Sequence, residues 1–256
     1  MDLKSLLPIA KVAAEKAAVE ILKIYESGDF SIEAKADDSP LTLADKASHN
    51  AIVAELEKTE LPILSEEGKS VDYENRKEWG QFWMIDPLDG TKEFIKKNGE
   101  FTINIALIKN GKPILGVVQV PVSGKIYFAT QGDGAFVEEN GMKQLLKVNS
   151  KMLDTEGLKV VASRSHLNEE TETFMSQLNN PEIVSMGSSL KLLAVAEGTA
   201  DLYPRYAPTM EWDTAAAHAV VIEAGGAVKI KDTDDSVLYN KENLLNPHFL
   251  VSGDLK

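Results

Sequence analysis

The sequence contains no cysteine. That excludes thiolate nucleophiles, cysteine zinc sites and disulfides, and it is compatible with a reducing cytoplasm. Uninterrupted apolar runs are missing too. The first 25 residues have the look of a leader, but Lys11, Glu15, Lys16 and Glu20 break them up. They read neither as a signal peptide nor as one of the runs of about 18 apolar residues that suggest a membrane span. Positive charge is scarce, 27 Lys and Arg against 40 Asp and Glu, for a formal net charge of -13. A general nucleic-acid binder would show a basic surface, so no nucleic-acid polymer is expected as a partner. An anionic small molecule would have to be held by a few local cations, by helix N-termini or by bound metal ions. The expectation is a soluble, cytoplasmic protein. Peripheral attachment at the inner face of the membrane, and monomer against dimer, stay open.

What is present is ordinary for a folded chain: 256 residues, 43% hydrophobic and 26% charged, enough for one large domain or two small ones. Leu3, Leu6, Leu7, Ala10, Ala14, Ala17, Ala18, Ile21, Leu22 and Tyr25 recur at helical spacing, which predicts a helix over 3–26 stopped by Gly28. A polar stretch, Lys35–Ser39, precedes a second helix over 42–58. Pro62–Ser65 reads as a short strand ahead of Glu66-Glu67, and 68–78 as a polar loop. Phe82–Ile85 reads as a buried strand. Phe101–Ile108 alternates and meets Ile114–Val120 through the hairpin dipeptide Asn110-Gly111. Strands at 126–130 and 135–138 follow. Beyond about residue 155 strand and helix alternate: strands at 158–162, 183–186, 200–203 and 227–230, and helices at 169–178, 189–197 and 213–224, the last ended by Gly225-Gly226. This points to a layered α/β arrangement in two subdomains, 1–155 of α+β character and 156–256 of α/β character.

The strongest local signal is Asp86-Pro87-Leu88-Asp89-Gly90-Thr91 at the end of an apolar strand. Pro87 fixes its own φ and keeps Asp86 extended, and Gly90 permits a sharp turn. Two carboxylates on a rigid corner suit hard divalent cations. Two such ions, about 3.5–4 Å apart, can bind a phosphate oxygen and activate water. A calcium loop of the EF-hand kind fails, because position 6 would be Thr91 and position 12 Lys97. Each carboxylate also has a plain structural alternative: a turn for the Asp86 dipeptides, a solvated loop for Glu66, a capping box opened by Thr42 for Asp45, and an N-cap for Asp213.

Taken in order, Glu66-Glu67, Asp86 to Thr91 and Trp212-Asp213-Thr214-Ala215-Ala216 resemble the signature of the inositol monophosphatase-like, lithium-sensitive phosphatase superfamily, with Asp45 where that family places a helix aspartate. Lys92-Glu93-Phe94, Asn98 to Phe101, Ser163 to His166, Gly187 to Lys191 and Glu197-Gly198 with Leu202 to Arg205 are similar to its bacterial 3′(2′),5′-bisphosphate nucleotidase branch. The resemblance covers nearly the whole chain. It implies an α-β-α-β-α sandwich of the sugar-phosphatase type, and magnesium-dependent removal of the 3′-phosphate of adenosine 3′,5′-bisphosphate to give AMP and phosphate. It also implies two or three Mg2+ ions. Glu66, Asp86 and the Leu88 carbonyl would hold the first, and Asp86, Asp89 and Asp213 the second, with a third, weaker ion near Glu66. Thr91, paired with Asp45, would activate the water. The backbone at Gly90 and Thr91, with His166, Ser188, Lys191, Arg205 and Asp213, would meet the substrate. Inositol-specific relatives carry an acidic residue shortly before Trp-Asp, whereas Glu211 here directly precedes Trp212, the wrong spacing for that role. His49, His218 and His248 read as structural. The alternatives are an inositol or sugar-phosphate phosphatase and a non-catalytic metal or nucleotide sensor.

Overall fold

A computed structural model describes residues 2–28, 30, 33–34, 40–162 and 168–256. The helical period at the N-terminus yields α1 (Leu3–Ser27), closed by Gly28 in the left-handed conformation at φ 75°, a role that suits glycine. Its buried stripe, Leu6, Ala10, Ala13, Ala14, Ala17, Ala18 and Ile21, is rich in alanine, which lets a second helix approach closely. The strands β1 (Glu33–Ala34) and β2 (Pro40–Leu41) form a two-residue antiparallel pair. Thr42 then caps α2 (Leu43–Leu56) by accepting from the Ala44 N–H, and α2 packs along α1. The polar stretch 35–39 lies outside the described residues.

A seven-stranded sheet follows. It begins with β3 (Ile63–Ser65), a short helix α3 (Tyr73–Arg76), β4 (Gln81–Asp89) and a five-residue helix α4 (Thr91–Ile95). It continues through β5 (Thr102–Lys109), β6 (Lys112–Gln119), β7 (Ile126–Thr130), β8 (Gly134–Glu139) and β9 (Met142–Leu145). The strands lie side by side in chain order, β3 parallel to β4 and the rest antiparallel. Asn110 and Gly111 make the expected hairpin, both with positive φ (51° and 75°). Two expectations are corrected here. The segment 68–78 contains α3, tied down where Arg76 donates to Asn240 Oδ1 (2.8 Å) and the Glu242 carbonyl (2.9 Å). And β9 extends the sheet beyond the expected strands.

The second half places β10 (Ser150–Lys151), β11 (Lys159–Ala162), α5 (Glu169–Ser176), β12 (Glu182–Ser185), α6 (Leu190–Ala196), β13 (Leu202–Arg205), α7 (Glu211–Glu223), β14 (Ala227–Ile230), β15 (Phe249–Ser252) and β16 (Asp254–Leu255) in order. Five of these strands form a mixed sheet in the order β12-β11-β13-β15-β14, and β10 pairs in parallel with β16. The layers stack as α-β-α-β-α. One core lies between α1, α2 and the seven-stranded sheet. A second, around α6 and α7, lies between the two sheets, and a small third holds α5 on the outer face.

Gly116 of β6 shows how tight the central layer is: a Cβ there would stand 2.1 Å from the Ala216 carbonyl oxygen of α7. Among the described residues, no helix is long and apolar enough to cross a membrane.

Candidate active site

The corner at 86–91 is a strand with one residue too many. Asp86 stands opposite Asn104 of β5, and Asp89 opposite Thr102, with the register shifting between them. Three steps along β4 thus match two along β5, which is a bulge at Pro87-Leu88. In a regular strand residues three apart face opposite sides. The extra residue restores the phase, so both carboxylates share one face with Asn104 and Thr102. Pro87, which has no N–H to give the ladder, sits where the ladder is already broken. Its carbonyl accepts from Ser48 of α2 at 2.6 Å.

Neighbouring elements bring the other groups. The parallel register of β3 on β4 pairs Ser65 with Ile85, so Glu66 follows beside Asp86. Its N–H reaches the Ile85 carbonyl at 3.2 Å. Helix α7 starts at Glu211, two residues before the expected Asp213. Asp213 is therefore the third residue of the helix rather than its N-cap, and its Oδ2 accepts from the Met210 N–H at 2.9 Å. Burial holds the Asp86 carboxyl well above its ordinary range, and the charges of Glu66, Asp89 and Asp213 push it further up. Asp213 is raised by burial and then by Asp89 and Glu66. Asp89 is raised by burial, while Lys191, the Ser189 N–H, Arg205 and Thr102 pull it back.

Asp45 serves two partners. Its Oδ2 accepts from the Thr42 N–H (2.7 Å) and hydroxyl (2.6 Å), completing the capping box. Its Oδ1 faces Thr91, whose hydroxyl lies 3.3 Å away and 3.4 Å from the Leu88 carbonyl oxygen. The capping-box alternative for Asp45 is therefore what the structure shows, and it leaves Oδ1 beside the Thr91 hydroxyl. Gly90, at φ 92°, turns the chain from β4 into α4, which opens at Thr91.

Lys191, which acts on Asp89, is buried rather than solvated. Burial pushes its ammonium down to about 8 against the pull of Asp89, and it donates to the Ser188 carbonyl at 2.6 Å. Ser188 holds a positive φ of 43°. Its hydroxyl and the Nε of Arg205 are buried without a partner, while an Arg205 terminal nitrogen donates to the Pro208 carbonyl at 2.8 Å. Two orphaned donors beside a buried ammonium fit an oxyanion. Ser163 to His166 lie outside the described residues.

Glu211 is fully buried and turned away from the cluster. It accepts from the Asn240 and Lys241 N–H groups and from the Lys241 ammonium (2.5, 3.1 and 2.5 Å). The remaining histidines have structural partners: His49 with Ser65 at 2.8 Å, His218 with the Tyr239 hydroxyl at 2.7 Å and His248 with Glu170 at 3.1 Å. Sequence reasoning missed Thr102 and Asn104, which the β4–β5 register sets opposite Asp89 and Asp86; Ser189, which lay within the Gly187 to Lys191 motif but was given no role, lies 2.8 Å from the Thr102 hydroxyl and from Asn104 Oδ1.

Among the described residues, no three His, Asp or Glu side chains stand close enough to form a ready-made metal cage. The carboxylates nonetheless form an all-oxygen set whose protons are held first by burial and then by the charge of their neighbours. Hard divalent cations are the partners that relieve such a set. A cavity of about 620 Å3 under β9, lined by Lys125, Lys143, Lys147 and Glu197 among others, shares no residue with the cluster. The chemistry, not cavity size, marks the site.

Residues 2–249 match the sequence model of the inositol monophosphatase family. The chain is 46% identical over 242 residues to the 3′(2′),5′-bisphosphate nucleotidase CysQ of Shigella flexneri, covering 93% of this chain and 96% of that protein. It is 45% identical to the protein of the same name from Escherichia coli K12, with the same coverage. The crystal structure of CysQ from Bacteroides thetaiotaomicron superposes with a TM-score of 0.88 at 46% identity, covering 98% of each chain.

Proposed function

The chain belongs to the inositol monophosphatase family, and we propose that it is a 3′(2′),5′-bisphosphate nucleotidase that hydrolyses the 3′-phosphate of adenosine 3′,5′-bisphosphate to AMP and phosphate. The observation that carries this reading is the company Asp89 keeps: it acts on the carboxyls of Asp86 and Asp213, and it is itself acted on by the cations Lys191 and Arg205, while the Ser188 hydroxyl and Arg205 Nε are buried without a partner. A singly phosphorylated sugar needs only the carboxylates; a second phosphate, with nearly two charges, needs the cations.

Glu66, Asp86 and the Leu88 carbonyl are proposed to hold one Mg2+, and Asp86, Asp89 and Asp213 another. When bound, the ions neutralise charge on the phosphoryl group and acidify the attacking water. Thr91 orients that water and takes its proton as its own passes to Asp45 Oδ1, a carboxylate kept available because the cap uses the other oxygen. The water oxygen, freed of that proton, bonds to phosphorus in line as the phosphorus–oxygen bond to the ribose breaks; the leaving oxygen takes a proton from solvent water, and the proton left on Asp45 returns to solvent. Backbone N–H groups at Gly90 and Thr91 face the same phosphate. Lys191, Arg205 and Ser188, joined by His166, bind the second phosphate and the nucleoside. In this division of labour residues 1–155 supply most of the metal ligands, while 156–256 supply specificity and Asp213. The alternative of an inositol-specific site lacks support, because Glu211 is spent on the 240–241 backbone.

The test is phosphate release with Mg2+ from adenosine 3′,5′-bisphosphate against inositol 1-phosphate, for the wild type and Arg205→Ala. The nucleotide should be strongly preferred, and Arg205→Ala should raise its KM with little effect on the inositol ester. Equal rates on both esters would overturn the reading. Millimolar lithium and calcium are expected to inhibit.

A further inference from the structure

Helix α7 opens on Met210 as its N-cap, a residue type with no side-chain oxygen to cap a helix. The backbone there is held instead by the loop that leads into β15. Met210 bridges Leu245 in antiparallel fashion. The Glu211 N–H donates to the Leu244 carbonyl at 2.9 Å, and the Asn246 N–H donates to the Thr209 carbonyl at 2.8 Å. Asn246, only 5% exposed, adds its side chain to this grip. Its Nδ2 donates to the Met210 carbonyl at 2.8 Å, and lies 3.0 Å from Thr214 Oγ1 and 3.3 Å from Thr209 Oγ1. A carbonyl can only accept, so the nitrogen must face it. The amide keeps this pose although its own oxygen is buried without a partner. The loop is anchored in turn by Glu211, through the Asn240 and Lys241 N–H groups, and by Arg76, through Asn240 Oδ1 and the Glu242 carbonyl.

We infer that Asn246 is a positioning residue for Asp213. The link runs through one peptide unit. Its carbonyl, that of Thr209, is held by the Asn246 N–H. Its N–H, that of Met210, donates to Asp213 Oδ2 at 2.9 Å. The next peptide is held at the Met210 carbonyl by Asn246 Nδ2; from within α7 the Asp213 N–H reaches the same carbonyl at a long 3.3 Å. Peptide units are planar, so a grip on both carbonyls fixes the two planes that meet at the Met210 Cα. The direction of the Met210 N–H, and with it the lie of the Asp213 carboxyl, is then set by residue 246 rather than by the helix. One Asp213 oxygen is committed to the backbone, and Oδ1 is left for the proposed cation.

This inference rests on the proposed metal site, so the experiment reads both. Mg2+ is titrated against the melting temperature and against activity on adenosine 3′,5′-bisphosphate for the wild type, Asn246→Ala, Asn246→Asp and Leu6→Ala. The last is a control that empties a fully buried position in the core under α1. Asn246→Ala removes the side-chain donor and leaves the backbone bond to Thr209. It should raise the half-maximal Mg2+ concentration about three- to tenfold in both titrations, the range set by one hydrogen bond, while saturating Mg2+ restores kcat and the KM for the nucleotide stays put. Asn246→Asp keeps the size but sets an oxygen against the Met210 carbonyl, so its shift should be at least as large. Leu6→Ala should melt lower and keep the wild-type Mg2+ dependence. If Asn246→Ala melts lower with its Mg2+ dependence unchanged, Asn246 only secures the loop and the inference fails. It fails equally if Asn246→Asp titrates like the wild type, so either variant decides should the other not fold. A Leu6→Ala shift as large as that of Asn246→Ala would show that lost stability alone moves the readout, and would also overturn it. A wild type with no Mg2+-linked shift overturns the metal site itself and the inference with it.

Discussion

Asp45 divides its two oxygens between the start of α2 and the hydroxyl of Thr91, so an amide in its place separates the two duties. Asp45→Asn retains an oxygen for the cap but cannot take a proton. It should lower kcat by about 10²–10⁴ while moving the melting temperature little, as steady-state kinetics and calorimetry would show. Asp86 makes the converse case. Its carboxyl is raised by burial and by its acidic neighbours, so above its ordinary value of 3.8 the folded protein holds this proton more tightly than the unfolded chain does. The stability it contributes is therefore present in acid and is lost as pH rises through the raised value. Asp86→Asn should be inactive. In metal-free urea unfolding its stability advantage over the wild type should grow as pH rises from 3.8; a constant difference would refute the mutual repulsion.

Helix α7 rests its backbone directly on β6 at Gly116, and it carries Asp213 in its first turn. A methyl group at 116 must push the helix outward, because the atom it meets is a carbonyl oxygen and not a flexible side chain. Gly116→Ala should cost about 1–3 kcal/mol. It should also raise the Mg2+ concentration needed for half-maximal activity by displacing Asp213; a variant that melts lower but keeps its Mg2+ dependence would show that the helix absorbs the strain. Much of this element-scale order was legible in the sequence. The α1 stripe, the Asn110-Gly111 hairpin and the β7 strand follow from period and turn chemistry. The strand β9 was overlooked although Asn140-Gly141, with φ of 52° and 75°, repeats the hairpin signal. The β4 bulge could not be read in advance, because it exists only as a difference in count between two paired strands. For the same reason the carboxylates of the site could be listed, whereas Thr102, set opposite Asp89 only by that pairing, could not.

Across the whole molecule, the proposed metal ligands come from the residue after β3, from β4 and from the start of α7, so a bound cation joins elements distant in the chain. At a Mg2+ concentration of about 100 times its dissociation constant, linkage supplies about 2.7 kcal/mol. For a chain of this size that is a rise of about 5–10 °C in melting temperature, to be followed by calorimetry as one cooperative transition. A rise confined to one of two separate transitions would show that the cation bridges nothing. The acidic excess of the chain is consistent with this arrangement, since part of it is a cluster that recruits cations.

The central layer has a consequence for the order of events in folding. Residues 214–221 of α7 are buried without a break, so this segment has no side that water can wet. It stays adhesive until the seven-stranded sheet is formed on one side and the five-stranded sheet, which includes the late strand β15, closes on the other. Docking of α7 is thus placed among the last and slowest steps, and the segment that carries Asp213, a proposed metal ligand, is also the one most exposed to self-association before the chain is complete.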